Sequence, residues 1–436
     1  MPNDASRLDW VKGDSFGVEI PAHPDALIDA GPEYLTALFQ RAGTLSQDNR
    51  IKAITRSTII RGGSTGSKLL LHVAYESNVT GLEQQLFVKF SRDFESKKRD
   101  AARYQMDLEI RFANLSMEPG FPIIVPTCYF ADFHTATGTG VLVTQCIPYG
   151  KGNTEPQHEK AKDYQLASPL PYYESLIKSL ATLASESKKN GMAEKISSLF
   201  PFRPEQLDVG ARQTDTADGV TRKVAAFIDF ASHYPDLFPD HIRSNKFLSR
   251  LEVEAALFQA NQHRVNAFLN SNTDLVALCH WNAHVDNAWF WRSESNEIEC
   301  GLLDWGNVSQ MNVAMALWGC LSAAEISFLD QHLEHLLELF VSEYRFLDGN
   351  NGVDLLKQHF IVYMASMGLA WLLDGPVNTL LKIDGLETVE NRFDPRIQEN
   401  EAARTQLQIL TVFLHLWSRT DMKSVIENMD LQRGIN

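Results

Sequence analysis

The chain has 436 residues, more than a single ordinary hydrophobic core accommodates, so two domains are expected. Hydrophobic residues make up 44% of it and charged residues 22%, which is typical of a globular protein. The net charge of −15 argues against a nucleic-acid partner, because such a partner requires a basic face.

The sequence also argues against a membrane protein. No apolar run approaches the roughly 18 residues of a membrane span, and the first residues show no secretory signal. The five cysteines are scattered and form no CxxC pair, which is typical of reduced thiols. We therefore expect a cytoplasmic protein without a membrane partner, and the oligomeric state stays open.

The first part of the chain predicts a small antiparallel sheet. Residues 1–45 form a leader with one helix over "PDALIDAGPEYLTALFQRAG". Short β-branched and apolar runs then alternate with turns, and one amphipathic helix interrupts them. The predicted order is β-β-β-α-β-β, with strands over 53–62, 67–77 and 84–92, a helix over about 94–117, and strands over 123–133 and 140–150.

Beyond Gly150 the pattern becomes helical. The run 171–191 predicts one helix, 195–270 is polar and helical with prolines, and 314–429 is nearly all helix. Two short strands are predicted over 287–293 and 298–306. The fold class expected is therefore α+β with two lobes, 46–149 forming a sheet-bearing N-lobe and 150–436 a helical C-lobe.

Several residues of the N-lobe suit a nucleotide. Gly62, Gly63 and Ser64 lie in a turn between two predicted strands, where glycines let backbone N–H groups approach a phosphate. The turn matches neither a Walker A loop nor GxGxxG, so a plain hairpin is the alternative. Gln145 and Ile147 precede a Pro-Gly segment, where a hinge backbone could meet an adenine edge.

Lys89 lies within an apolar strand, and a buried ammonium requires a partner. Glu109 follows in the next helix, and a strand lysine paired with a helix glutamate positions ATP in kinases. A solvent-exposed edge lysine is the alternative, and Glu95 and Asp107 compete with Glu109 as partners.

The stretch "CHWNAHVDNAWFW" carries the strongest signal. His280, Asn282, His284 and Asn287 follow the spacing H-x-N-x-H-x-x-N, and Asp304 follows in "LLDWGN". An asparagine in a loop and an aspartate at a strand end are oxygen ligands of the kind that Mg²⁺ prefers. A zinc pair of the two histidines does not fit, because the H-E-x-x-H pattern on a helix is missing.

This ordered set resembles the aminoglycoside phosphotransferase and choline kinase-like family, which has a protein-kinase-like fold. Its catalytic loop commonly reads HGDxHxxN and its metal site (I/L)DW. The resemblance covers roughly residues 50–320. It implies that Lys89 holds the phosphates of ATP or GTP, that Glu109 orients Lys89, that Asn287 and Asp304 bind magnesium, and that His284 structures the loop.

The chain departs from the family at the catalytic position. Asn282 stands where the family has its aspartate, and a carboxamide cannot accept a proton as a base does. Trp281 replaces a glycine beside it. Asp286 is a candidate substitute base, and a structural carboxylate is the alternative. The candidate catalytic residues are thus His280, Asn282 and Asp286.

Two functions follow from the same residues. The first is an ATP- and magnesium-dependent phosphotransferase acting on a small-molecule hydroxyl or amine, with residues 195–270 contacting the acceptor. The second is a pseudokinase-like binding module without transfer. The aromatic residues Trp281, Trp289, Phe290, Trp291 and Trp305 suit a quaternary ammonium or simply pack in the core.

Overall fold

In the computed structural model, which describes residues 8–63, 65–206 and 216–429, the chain divides into two units. The first unit comprises Met1–Thr154 and Gly301–Val308. The second comprises Glu155–Cys300 and Ser309–Asn436. The first unit is therefore discontinuous in sequence, and the segment Gly301–Val308 completes it.

The first unit contains a five-stranded antiparallel sheet. Its elements are β1 Trp10–Lys12, β2 Glu19–Pro21, α1 Pro24–Ala42, β3 Ile51–Ile60, β4 Ser67–Tyr75, β5 Gln85–Phe90, α2 Lys97–Ala101, α3 Met106–Ser116, β6 Cys128–His134 and β7 Thr139–Gln145. The strand order is β3-β4-β5-β7-β6, and β1 pairs separately with β2. The predicted succession β-β-β-α-β-β is confirmed.

Alternation within β5 decides which face of the sheet is core. Leu86, Val88 and Phe90 are fully buried and join a cluster with residues of α1 and of the neighbouring strands. Lys89 lies on the other face, because successive side chains of a strand point to opposite sides. Ile110 of α3 packs on that other face in a second, smaller cluster.

The single helix predicted over 94–117 is wrong in extent. Ser96 caps α2 by accepting from the Arg99 N–H group, and the chain leaves α-geometry at Ala102. A 3₁₀ turn, Arg103–Gln105, follows before α3 begins. Tyr104, predicted to lie in the apolar stripe, is 48% exposed.

The strand predicted over 123–133 also begins later than expected, at Cys128. Pro122 and Pro126 precede it, and a proline has no N–H group to donate to a ladder. The short strands β1 and β2 were not predicted, since runs of three residues carry too little alternation to be recognised.

The second unit is mostly helical. Its helices are α4 Leu170–Ser187, α5 Met192–Leu199, α6 Ala217–His233, α7 Asp240–Arg243, α8 Asn245–Ala260, α9 Gln262–Ser271, α10 Val313–Leu321, α11 Ile326–Tyr344, α12 Gly349–Met367, α13 Gly375–Leu380, α14 Pro395–Gln398, α15 Glu401–Arg419 and α16 Met422–Asn428. A π-helix, Gly368–Leu372, follows α12.

Four short strands accompany these helices: β8 Val276–Cys279, β9 Ala288–Arg292, β10 Ile298–Leu302 and β11 Ser309–Asn312. β8 pairs with β11, and β9 pairs with β10. The predicted strands over 287–293 and 298–306 correspond to β9 and β10, but β10 ends at Leu302, so Asp304 follows the strand instead of lying in it. β8 and β11 were not predicted.

The expected fold class is confirmed: one unit is built on a small antiparallel sheet with a helix between its third and fourth strands, and the other is mostly helical. Among the described residues, no helix combines the length and the apolar character needed to cross a bilayer.

Candidate functional site

Lys89 is the centre of a charged cluster in the first unit. Its Nζ lies 2.6 Å from Oε2 of Glu109 on α3 and 3.5 Å from Oδ1 of Asp304. Only 8% of Lys89 and 6% of Glu109 is exposed. Burial alone would lower the pKa of Lys89, but the two carboxylates outweigh burial and hold that pKa above its usual range. Lys89 is therefore charged at neutral pH.

Asp304 reaches this cluster from the segment Gly301–Val308. Its backbone is left-handed, with φ of 64°, which is uncommon for a residue other than glycine and concentrates at functional sites. Its side chain is 53% exposed, in contrast to Glu109. A carboxylate that touches a buried ammonium and still faces solvent is suited to receive a hard cation.

The aromatic residue after Asp304 anchors the segment. The Trp305 ring stacks on Phe112 of α3, with centroids 3.7 Å apart and an interplanar angle of 16°. Its indole Nε1 donates to the carbonyl oxygen of Leu302 at 3.1 Å. Since α3 also carries Glu109, one helix positions two members of the charged cluster. The sequence suggested core packing as one role for Trp305 but not this partner.

A second lysine, which was not predicted from the sequence, lies beside Lys89. Lys68 of β4 is the cross-strand partner of Lys89, and its Nζ donates to the carbonyl oxygen of Gly62 at 2.9 Å. A Cβ at Gly63 would lie 1.9 Å from that Nζ, so the bare glycine leaves room for the ammonium. Strand register would have revealed this pair, because opposed residues share a face.

The backbone of the glycine turn has positive φ angles at Gly62, Gly63 and Gly66. Gly66 is the most constrained, because a Cβ there would lie 1.7 Å from the carbonyl oxygen of Phe90. Ser64, the third predicted member of the turn, lies outside the described residues.

The predicted hinge begins where β7 ends. The Gln145 N–H group donates to Thr127, and the Cys146 N–H group donates to Gln85. Among the described residues, no backbone carbonyl accepts a hydrogen bond from the N–H group of Ile147, which lies beyond the end of β7. Of the two predicted hinge residues, Ile147 is thus the better placed to donate to a ligand.

The loop of the second unit is held by its own polar groups. The Asn282 N–H group donates to Nδ1 of His280 at 3.0 Å, which assigns that nitrogen as an acceptor. The Asn287 side chain donates to the main-chain oxygen of Asn282 at 2.8 Å. Burial lowers the pKa of His284 far below its usual range, with Lys160 contributing, so this imidazole is neutral.

Trp281 fits the loop against two helices of the second unit. Its indole Nε1 donates to the hydroxyl of Tyr363 at 2.8 Å. A Cβ on Gly319 of α10 would lie 1.4 Å from the Trp281 carbonyl oxygen, so that position requires glycine. Phe290 likewise has a partner, the ring of Tyr172 at 5.0 Å. Both contacts favour packing as the role of these aromatic residues.

Asp286 is a partly enclosed carboxylate. Its Oδ2 lies 3.4 Å from Nζ of Lys160, and its Oδ1 is buried without a hydrogen-bond partner. Burial raises the pKa of Asp286, and the Lys160 ammonium opposes that shift. The side chain is only 18% exposed. These surroundings favour a structural carboxylate over an accessible base.

The structure brings together three predicted residues, Lys89, Glu109 and Asp304, in one compact unit. Asn287 belongs to the second unit, and its role as a magnesium ligand stays a prediction. Over the described ranges, no group of three or more His, Cys, Asp or Glu residues is arranged to hold a metal ion.

Comparison with known proteins gives no family model and no curated protein that matches the chain. Solved structures do match. An ethanolamine kinase of Plasmodium vivax is 10% identical with a TM-score of 0.40, over 82% of this chain and 81% of that one. A choline kinase of Cryptosporidium parvum Iowa II is 11% identical with a TM-score of 0.39, over 87% and 92%. The GDP complex of wild-type aminoglycoside 2'-phosphotransferase-IIIa is 12% identical with a TM-score of 0.40, over 88% and 97%. At these identities the likeness concerns the fold alone.

Proposed function

We propose that this chain binds a nucleoside triphosphate with magnesium and transfers its terminal phosphoryl group to a small-molecule hydroxyl or amine, using an atypical catalytic loop. The observation that carries the proposal is the placement of Lys89 between Glu109 and Asp304. Phosphoryl transfer depends mostly on positioning and charge neutralisation, and this cluster supplies a fixed cation beside an exposed carboxylate.

Each member of the cluster has a distinct role in the proposal. Lys89 binds the phosphates of ATP or GTP through its ammonium, and Glu109 holds that ammonium in place. Asp304 offers an exposed oxygen ligand, and Asn287 a carboxamide oxygen, which fits the oxygen chemistry of magnesium. Magnesium, when bound, neutralises charge on the phosphates. The backbone N–H group of Ile147 donates a hydrogen bond to the adenine or guanine ring of the nucleotide.

Asn282 orients the acceptor in this proposal but removes no proton from it. A carboxamide donates and accepts hydrogen bonds, yet it has no basic site at neutral pH. Loss of general-base assistance typically lowers a rate by about 10²–10⁴-fold. The proposed enzyme is therefore slow, and its remaining catalysis comes from positioning and electrostatics.

Isothermal calorimetry with ATP, in the presence and absence of magnesium, tests the nucleotide site. We expect binding that strengthens with magnesium, and we expect Asp304→Asn to reduce that gain at least about tenfold, because the variant loses a charged ligand. Glu95→Gln is the matched control, since Glu95 is an exposed acid of the same unit that the sequence offered as a rival to Glu109.

Two results would contradict the proposal. One is the absence of nucleotide binding by the folded wild-type chain with or without magnesium. The other is magnesium-dependent ATP turnover that Asp304→Asn leaves unchanged, because the proposed metal ligand would then have no role.

One observation favours the second candidate, a binding module without transfer. Asp286 is the single acidic residue of the loop 279–291, and it is paired with Lys160 and largely buried. An accessible carboxylate is therefore missing from this loop, all of which the structure describes. Nucleotide binding without ATP turnover, for any hydroxyl or amine acceptor supplied, would select this candidate.

A further inference from the structure

Lys68 and Lys89 present two ammonium groups on one face of the sheet. They are directly opposed in the antiparallel pair of β4 and β5. The side chains of opposed residues point to the same side, and like charges in such a pair are unfavourable unless something offsets them. Leu69, the next residue of β4, is fully buried in the core of the opposite face. The two lysines therefore share the face that carries Glu109.

The two carboxylates of the cluster contact Lys89 and not Lys68. Glu109 and Asp304 lie 2.6 and 3.5 Å from Lys89. Lys68 donates instead to a neutral acceptor, the Gly62 carbonyl, and no carboxylate of the described residues lies within ion-pair distance of it. Burial, and then Lys89, lower the pKa of Lys68, with Arg99 adding to the effect and both carboxylates opposing it. The two lysines and the two carboxylates balance in number, but both carboxylates contact Lys89, and the Lys68 ammonium contacts only a neutral oxygen.

A structural explanation accounts for only part of this geometry. The bond from Lys68 to Gly62 closes the glycine turn, but a neutral donor would do the same without placing a second charge opposite Lys89. Gly62 and Gly63 in this turn are exposed, and glycines let backbone N–H groups approach a phosphate. An anion at this place would meet two ammonium groups and the turn together.

We propose that Lys68 is a second polyphosphate-binding cation, which acts with Lys89 on the phosphate chain of the nucleotide. This inference rests on the proposed function, because it assigns the phosphate end of the same site. The Gly62 carbonyl holds the Lys68 ammonium beside the turn before the anion arrives. Lys68 contacts the charged phosphates and not the nucleobase. The binding affinity should therefore rise with the number of phosphates, from nucleoside to diphosphate to triphosphate.

Calorimetry on the full-length chain tests this inference with four probes: ATP, ADP, adenosine and inorganic tripolyphosphate. We expect Lys68→Met to weaken ATP and tripolyphosphate binding by about 10–100-fold, the value of a charge-assisted hydrogen bond, and to leave adenosine binding unchanged. Lys68→Arg should retain most of the affinity, since it keeps the charge. Lys52→Met, which removes an exposed lysine from β3, is the matched control.

The outcomes separate this inference from the proposed function. If Lys68→Met binds ATP as the wild type does, the inference is wrong and the proposed function stands. If Lys68→Met weakens adenosine as much as ATP, Lys68 is only structural and the inference is again wrong. If the wild type binds tripolyphosphate through Lys68 but no ATP, the inference stands and the nucleotide function fails. If the wild type binds neither ATP nor tripolyphosphate, and circular dichroism shows that it is folded, both the inference and the proposed function are wrong.

Discussion

Asn282 is the residue that best distinguishes the two candidate functions. Its main-chain oxygen accepts the hydrogen bond of Asn287, and its N–H group donates to His280, so the backbone of the loop is fixed around it. Neither contact uses the Asn282 side chain. A carboxylate at this position would therefore enter a loop whose backbone is already held.

Asn282→Asp is expected to raise the rate of ATP-dependent transfer by about 10²–10⁴-fold if the site lacks only its base. The measurement is the turnover number with a panel of hydroxyl and amine acceptors. Asn282→Ala is the matched control, since it removes the side chain without adding a base. No gain in Asn282→Asp, with nucleotide binding intact, would indicate a binding module.

Lys89 could be recognised from the sequence of its own strand, whereas Lys68 could not. Alternation along one strand placed Lys89 on the other face from Leu86 and Val88, and a buried ammonium requires a carboxylate. Pairing with an acid was therefore predictable, but the choice of Glu109 over Glu95 and Asp107 was not settled by the local sequence. Lys68 was not recognised, because its importance comes from strand register. Strand register is the pairing of residues between two strands, so it cannot be read from the sequence of either strand alone.

At the scale of elements, one aromatic contact joins α3 to the segment Gly301–Val308. Trp305 is 4% exposed and stacks on Phe112, while the preceding residue, Asp304, holds a left-handed backbone. The stacking stabilises a conformation that costs about 1–2 kcal/mol for a residue other than glycine. The position of Asp304 thus depends on its neighbour.

Trp305→Ala is expected to lower the free energy of unfolding by about 3–5 kcal/mol, because a large buried ring is removed. It should also weaken the magnesium-dependent part of ATP binding, since Asp304 loses its anchor. Denaturant titration and calorimetry measure the two effects. Trp305→Phe retains a ring for Phe112 and should retain most of both. A variant that loses stability but keeps the full magnesium effect would argue against this coupling.

A buried carboxylate contacts helix α4 of the second unit. Asp163 accepts a hydrogen bond from the hydroxyl of Tyr173 on α4, and its other oxygen, Oδ1, has no partner. Burial raises the pKa of Asp163 to about 7, with Glu325 and Asp286 adding to the rise and Tyr173 opposing it. The folded chain therefore holds a proton there that the unfolded chain, with a pKa of about 3.9, releases.

Asp163→Asn is expected to become more stable relative to the wild type as pH rises from 5 to 8. The raised pKa stabilises the wild type fully below about pH 4, and that contribution is lost as pH rises towards 7. The difference in unfolding free energy between variant and wild type should shift by about 2–3 kcal/mol between pH 5 and pH 8. Urea denaturation at both pH values measures it. Asp236→Asn, at an exposed acid, should show no such shift.

The elements themselves were predictable where periodicity was strong. The strands β3 and β4 were predicted from β-branched or apolar runs and β5 from apolar alternation, and their succession was predicted correctly. The helix over 94–117 was not, because composition could not show that Ser96 caps a short helix which ends at Ala101. Helix breaks without proline or glycine depend on local capping and tertiary contacts.

At the scale of the whole molecule, the sequence predicted one sheet-bearing part and one helical part, and it placed Asp304 with the helical part. The structure assigns Gly301–Val308, and Asp304 with it, to the sheet-bearing unit. This assignment could not be predicted from the sequence, because contacts between residues far apart in the chain, such as Trp305 with Phe112, leave no local sequence pattern.

The discontinuity of the first unit has a consequence for synthesis on the ribosome. Residues 1–154 emerge first, but the segment that completes their unit follows only after residues 155–300. At about 5–20 residues per second, that delay is on the order of 10 s. Throughout it, the nascent sheet has Phe112 without its stacking ring and Lys89 without one of its two carboxylates. The newly made chain therefore passes through a stage in which an aromatic surface is open to chaperones that bind apolar segments.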